Sequence, residues 1–68
     1  PRPASGWASL SPAERRVAVL VGQGLTNAEV SERLFISRYT VETHLKRIFA
    51  RLGITSRTEL AAVVVRNT

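Results

Sequence analysis

Residues 26–52 read TNAEVSERLFISRYTVETHLKRIFARL, and this stretch decides the fold. It divides into two helical segments around Phe35-Ile36-Ser37. In the second segment Val41, Leu45, Ile48 and Leu52 recur at helical spacing and form one apolar seam. Tyr39, Glu42, Thr43, Lys46 and Arg47 fall on the other side, which is long, polar and mostly basic. A scaffold helix, a turn of three or four residues and a second helix make a helix-turn-helix. The apolar side chains of the turn, Phe35 and Ile36, are expected to wedge the two helices apart and hold their angle. A helix gripped on one face and free on the other has the shape that enters a DNA major groove. Adjacent short helices with apolar turns also occur in ordinary bundles, so this geometry alone leaves both readings open.

Working outward, helix signals follow one another along the chain. Ser11-Pro12-Ala13-Glu14 opens a first helix: Ser11 caps it, Pro12 suits its first position, and Glu14 closes a capping box. Val17, Leu20 and Val21 supply its buried stripe, and Gly22 and Gly24 end it. Thr26-Asn27-Ala28-Glu29 is a second capping box, with Val30 and Leu34 following at helical spacing. Ser37 caps the third helix, which ends at Gly53 and spans about 38–52. Ser56-Arg57-Thr58-Glu59 is a third capping box, opening a last helix over about 57–66. Four helices with short connections and no strand pattern predict an all-α fold, a four-helix bundle containing the helix-turn-helix. Residues 1–6, PRPASG, read as a linker tail and 7–68 as the domain, with Trp7 a lid over the first helix.

Composition narrows the function. A chain of 68 residues has room for a small core but not for a substrate cleft as well. With no Cys, no Asp, one His and scattered Glu, neither a disulfide, a zinc site nor a catalytic pair is expected. The chain is therefore not expected to be an enzyme, and no metal or cofactor is implied. His44 lies on the edge of the apolar seam and is expected to hydrogen-bond within the fold. No apolar run approaches the roughly 18 residues of a membrane span. The chain starts at Pro1 without Met, so it is expected to be a piece of a longer protein.

The formal net charge is +5. From Arg38 to Arg57, five cations (Arg38, Lys46, Arg47, Arg51, Arg57) oppose one carboxylate, Glu42, a local net of +4. Clustered positive charge favours a polyanion, although a solvated face carries the same composition.

At this point the motifs become specific. Leu10-Ser11-Pro12-x-Glu14-x-x-Val17, Gly24-Leu25-Thr26-Asn27-x-Glu29-Val30, Ser37-x-x-Thr40-Val41-x-x-His44-Leu45-x-x-Ile48 and Leu52-Gly53-x-x-Ser56-Arg57-x-Glu59-Leu60 fall in order. Together they resemble the LuxR-type helix-turn-helix domain over about residues 8–66. The resemblance implies sequence-specific binding of double-stranded DNA in transcription regulation, with the third helix in the major groove and the fourth forming a homodimer on DNA. It also implies an upstream sensor or effector domain in the full-length protein and a bacterial, cytoplasmic, nucleoid-associated setting.

The same resemblance puts Glu42, Thr43 and Lys46 at base-contacting positions, and the helical wheel independently puts them on the free face. Glu42 departs from the lysine common there. It can accept a hydrogen bond from cytosine N4, or pair with Lys46 four residues on and tune charge. Candidate phosphate contacts are Asn27 and Thr40 near helix starts, Tyr39 through its hydroxyl, and Arg38, Arg47, Arg51 and Arg57. In the last helix six apolar residues run together at 60–65. Leu60, Val63 and Val64 make a core face. Thr58, Ala61, Ala62 and Val65 make a second stripe, expected to be a symmetric dimer interface. The rival class is a helical interaction module that binds an acidic protein partner.

Overall fold

The computed structural model describes residues 6–68. The expected tail lies outside the described residues except for Gly6, which opens a 3-10 turn at Gly6–Ser9. Four helices follow: α1 (Pro12–Gly22), α2 (Asn27–Leu34), α3 (Arg38–Leu52) and α4 (Arg57–Asn67), with no strand among the described residues. This is the all-α, four-helix arrangement that the helix signals predict.

Local hydrogen bonds start each helix. Ser11 Oγ accepts from the Glu14 N–H at 3.2 Å while the Glu14 carboxylate accepts from the Ser11 N–H at 2.9 Å. Thr26 and Glu29 repeat the exchange at the start of α2, at 3.1 and 2.8 Å. α3 starts on Ser37 Oγ, which accepts from the Thr40 N–H at 3.0 Å. At α4 the expected box is shifted by one residue. Ser56 Oγ accepts from the Glu59 N–H, but the Glu59 carboxylate reaches the N–H and hydroxyl of Thr55 at 3.2 and 3.1 Å. The Thr55 backbone N–H, followed by its hydroxyl, holds the Glu59 carboxyl below the usual carboxylate range. This contribution to stability is present above the ordinary carboxylate pKa and fades as pH falls through the lowered one.

The core forms where the stripes meet. Val17, Val30, Val41, Ile48 and Leu60, drawn from all four helices, are fully buried. α4 lies chiefly against α1, and α3 packs on both α1 and α2. Leu20 and Leu52, expected in the core, are only partly buried at its edge. Trp7 also packs partly buried against the core.

The turn between α2 and α3 departs from expectation. Ile36 packs against the core, but Phe35 is 94% exposed. It caps α2 in the left-handed conformation, with φ 58° and ψ 43°, so its side chain swings outward instead of wedging the helices. The left-handed backbone costs a residue with a Cβ about 1–2 kcal/mol.

Gly22 sets the approach of α1 to α4. A Cβ there would stand 3.0 Å from Val64 Cγ2 and 3.2 Å from Val64 Cβ. Val64 is buried and β-branched, and so cannot turn aside freely. Gly22→Leu should lower stability by about 1–3 kcal/mol through overpacking. Leucine is the better helix former, so a loss measured by urea denaturation must come from packing. A stability gain would show that α4 has room to move.

Candidate nucleic-acid interface

α3 carries the candidate interface because one of its sides and its C-terminal end are committed. Val41, Leu45 and Ile48 are buried, and Gly53 ends the helix in the left-handed conformation at φ 67°. The remaining side presents Arg38, Tyr39, Glu42, Lys46 and Arg47, all exposed, with Thr43 half-buried beside them. The sequence-expected base-contacting set thus lies together on one open face. Tyr39 is 77% exposed and stacks on nothing in the core. Thr43 Oγ1 donates to the Tyr39 carbonyl one turn back at 3.0 Å, which commits its hydroxyl to the helix. Thr40 Oγ1 lies 2.9 Å from the capping Ser37 hydroxyl. Glu42 forms no ion pair with Lys46; among the described residues the one ion pair is Arg51–Glu14.

Four sequence-expected phosphate contacts have protein partners, Thr40 through Ser37 and three through longer-range bonds. Arg51 Nη1 donates to the Ser9 carbonyl at 2.8 Å and to the Glu14 carboxylate at 3.1 Å. At 100° per residue Arg51 lies about 140° around α3 from Lys46, off the free face. Arg57 Nη1 donates to Asn27 Oδ1 at 3.0 Å, and Nη2 to the Leu25 carbonyl at 3.0 Å. These bonds hold the start of α4 against the start of α2, and they bring Asn27 and Arg57 together at one edge.

Glu14, 3% exposed, holds Arg51 as well as capping α1, a second role that the capping motif does not reveal. Glu14 sits on the stripe that also holds Val17, Ala18 and Val21. A carboxylate on an apolar stripe calls for a cation, and that was the available signal. His44 corrects another expectation. Its Nδ1 is buried with no hydrogen-bond partner among the described residues. Such an atom costs about 1–3 kcal/mol.

On α4, Leu60, Val63 and Val64 are buried, while Thr58, Ala62 and Val65 are exposed and Ala61 half-buried. The second stripe is therefore an open apolar surface. Among the described residues no cluster of metal-ligating side chains occurs, and no helix is long and apolar enough to cross a membrane.

A helix-turn-helix with an exposed, basic second helix defines a DNA-binding module. Residues 8–64 match the family described as bacterial regulatory proteins, luxR family, and the chain belongs to that family. An HTH-type transcriptional regulator of Mycobacterium tuberculosis is 49% identical over 65 residues, covering 96% of this chain and 7% of that protein. The transcriptional regulatory protein LiaR of Bacillus subtilis is 39% identical over 59 residues, covering 87% of this chain and 28% of LiaR. The crystal structure of the response regulator ChrA, of a heme-sensing two-component system, superposes with a TM-score of 0.80 at 36% identity, over 98% of this chain and 31% of ChrA. The chain thus spans less than a third of the length of these relatives. It is a LuxR-type DNA-binding domain of transcription regulation.

Arg51→Ala separates a structural role from a DNA role. It leaves the Glu14 carboxylate buried without its cation, which should cost about 2–4 kcal/mol in urea denaturation. Glu14→Gln in the same chain should recover part of the loss. A variant as stable as the parent but weaker on DNA would show that Arg51 serves the duplex instead.

Proposed function

We propose that α3 lies in the major groove with Glu42, Thr43 and Lys46 at base edges. The observation that carries this reading is the division of α3. Val41 and Ile48 are fully buried on one side, and an exposed row of cations stands on the other. Lys46 suits the acceptors of guanine, Thr43 offers its methyl to thymine because its hydroxyl is already used, and Glu42, unpaired with Lys46, suits cytosine N4. Arg38, Tyr39, Thr40 and Arg47 flank this row and suit phosphates. Asn27 and Arg57, joined at the edge of α2, offer a second phosphate contact. Arg51 contributes mainly by holding α3, reaching phosphate only through N–H groups that Glu14 and Ser9 leave free.

The α4 stripe supports a two-fold dimer in which Ala61 and Val65 meet their symmetry mates. The length of the relatives supports an upstream regulatory domain, and the family supports a cytoplasmic, DNA-associated setting in bacteria and a non-catalytic role.

Lys46→Ala tests the reading frame of α3. Binding to a selected duplex should weaken by about 1–3 kcal/mol, with relaxed preference at one base position per half-site. Equal weakening on random duplex, with a shallower salt slope, would reassign Lys46 to phosphate. Unchanged binding to both would remove it from the interface.

The dimer is tested by Val65→Glu, which sets like charges opposite each other at the axis. Val65 is 77% exposed, so the fold should survive, as circular dichroism would show. Cooperative binding to two inverted half-sites about one helical turn apart should be lost while single-site binding persists. Cooperativity that survives would place the dimer contact elsewhere.

A further inference from the structure

We propose that a groove between α1 and α2 docks an acidic, amphipathic segment of a second protein while α3 is free to hold DNA. The groove measures about 400 Å³, and Trp7, Val19, Leu20 and Leu34 form its apolar walls. Arg15, Arg16 and Arg33 rim it, and none of the three is in an ion pair among the described residues. At Arg16 and Leu34 it meets a smaller recess of about 110 Å³ that Ile36 and His44 also line. His44 Nδ1, buried and unpartnered, adds a polar atom still to be satisfied beside this recess.

Charge selects the occupant. An apolar slot ringed by three cations that have no carboxylate partner among the described residues fits large apolar side chains flanked by Asp or Glu. Residues 1–5, PRPAS, do not suit it, because their sole charge is Arg2, of the same sign as the rim. A second copy suits it poorly too. Each copy carries +5, and three of its five carboxylates are committed, Glu14 to Arg51, Glu29 to Thr26 and Glu59 to Thr55. The rim's charge assigns the groove to a different, acidic protein, and a Glu peptide that binds this domain but not the full-length protein would overturn the assignment by giving the groove to the upstream regulatory domain. The groove is also independent of the DNA face. On α3, His44 lies about 160° around the helix from both Glu42 and Lys46.

The single tryptophan, Trp7, reports on the groove directly. The probe is an amphipathic peptide of about 15 residues with Leu at helical spacing and Glu elsewhere, against its twin with Lys for Glu. At about 0.15 M salt, where the screening length is about 8 Å, the Glu peptide should shift Trp7 emission saturably and the Lys twin should not. Arg16→Gln with Arg33→Gln should weaken the Glu peptide by about tenfold or more, with helix content unchanged by circular dichroism. Saturating duplex DNA should leave the peptide affinity within about twofold, since the sites are separate. The proposal is overturned by no saturable response, by affinity that survives loss of the two arginines, or by displacement of the peptide by DNA. Self-association that shifts Trp7 without peptide would also overturn it, by assigning the groove to a second copy.

Discussion

One carboxylate oxygen, Glu14 Oε1, joins three parts of this small fold. It accepts from the Ser11 N–H, which completes the cap of α1, and from Arg51, near the end of α3. The same guanidinium nitrogen donates to the Ser9 carbonyl, so the 3-10 turn is tied in as well. The carboxylate is nearly buried while the Arg51 side chain stays 47% exposed. Leaving Glu14 unpaired would strand a charge in the core, and this penalty, more than the attraction itself, enforces the arrangement. With its C-terminal end pinned to α1, α3 has one orientation on the bundle, and its free face has one direction.

The other end of the helix-turn-helix is held differently. α2 has eight residues, too short to persist alone. It is closed by the Thr26–Glu29 exchange at its start and braced by Arg57 from α4 through Asn27 and Leu25. The turn that follows keeps Ile36 inside and turns Phe35 outside. The angle between α2 and α3 is thus upheld by Ile36 and the buried Val30 and Val41 beneath it, without help from Phe35. Fixing both ends of a short helix pair before any ligand arrives reduces the ordering cost of binding.

The division of surfaces follows from the same packing. α3 spends one side on the core and leaves a basic side open. α4 spends Leu60, Val63 and Val64 on α1 and leaves Val65 open. α1 spends Val17, Ala18 and Val21 and leaves Val19 and Leu20 only partly covered beside Trp7. A domain of this size has too little interior to hide every apolar residue, and the uncovered ones collect into a stripe and a groove. Each can serve a different partner without disturbing the others.

Local chemistry was open to reading along the chain. Caps operate between residues three apart, and helical stripes between residues three or four apart. The starts of α1, α2 and α3, the Gly53 stop, the apolar seam of α3 and the two stripes of α4 were therefore legible, as was the open polar face carrying Glu42, Thr43 and Lys46. Partners 30 or more positions apart were not. Arg51 meets Glu14 across 37 residues and Arg57 meets Asn27 across 30, and the sequence alone made both arginines look like free cations. The outward turn of Phe35 and the lack of a partner at His44 Nδ1 were equally hidden. Each depends on what space the neighbouring helices leave, a quantity that exists only once the chain has packed.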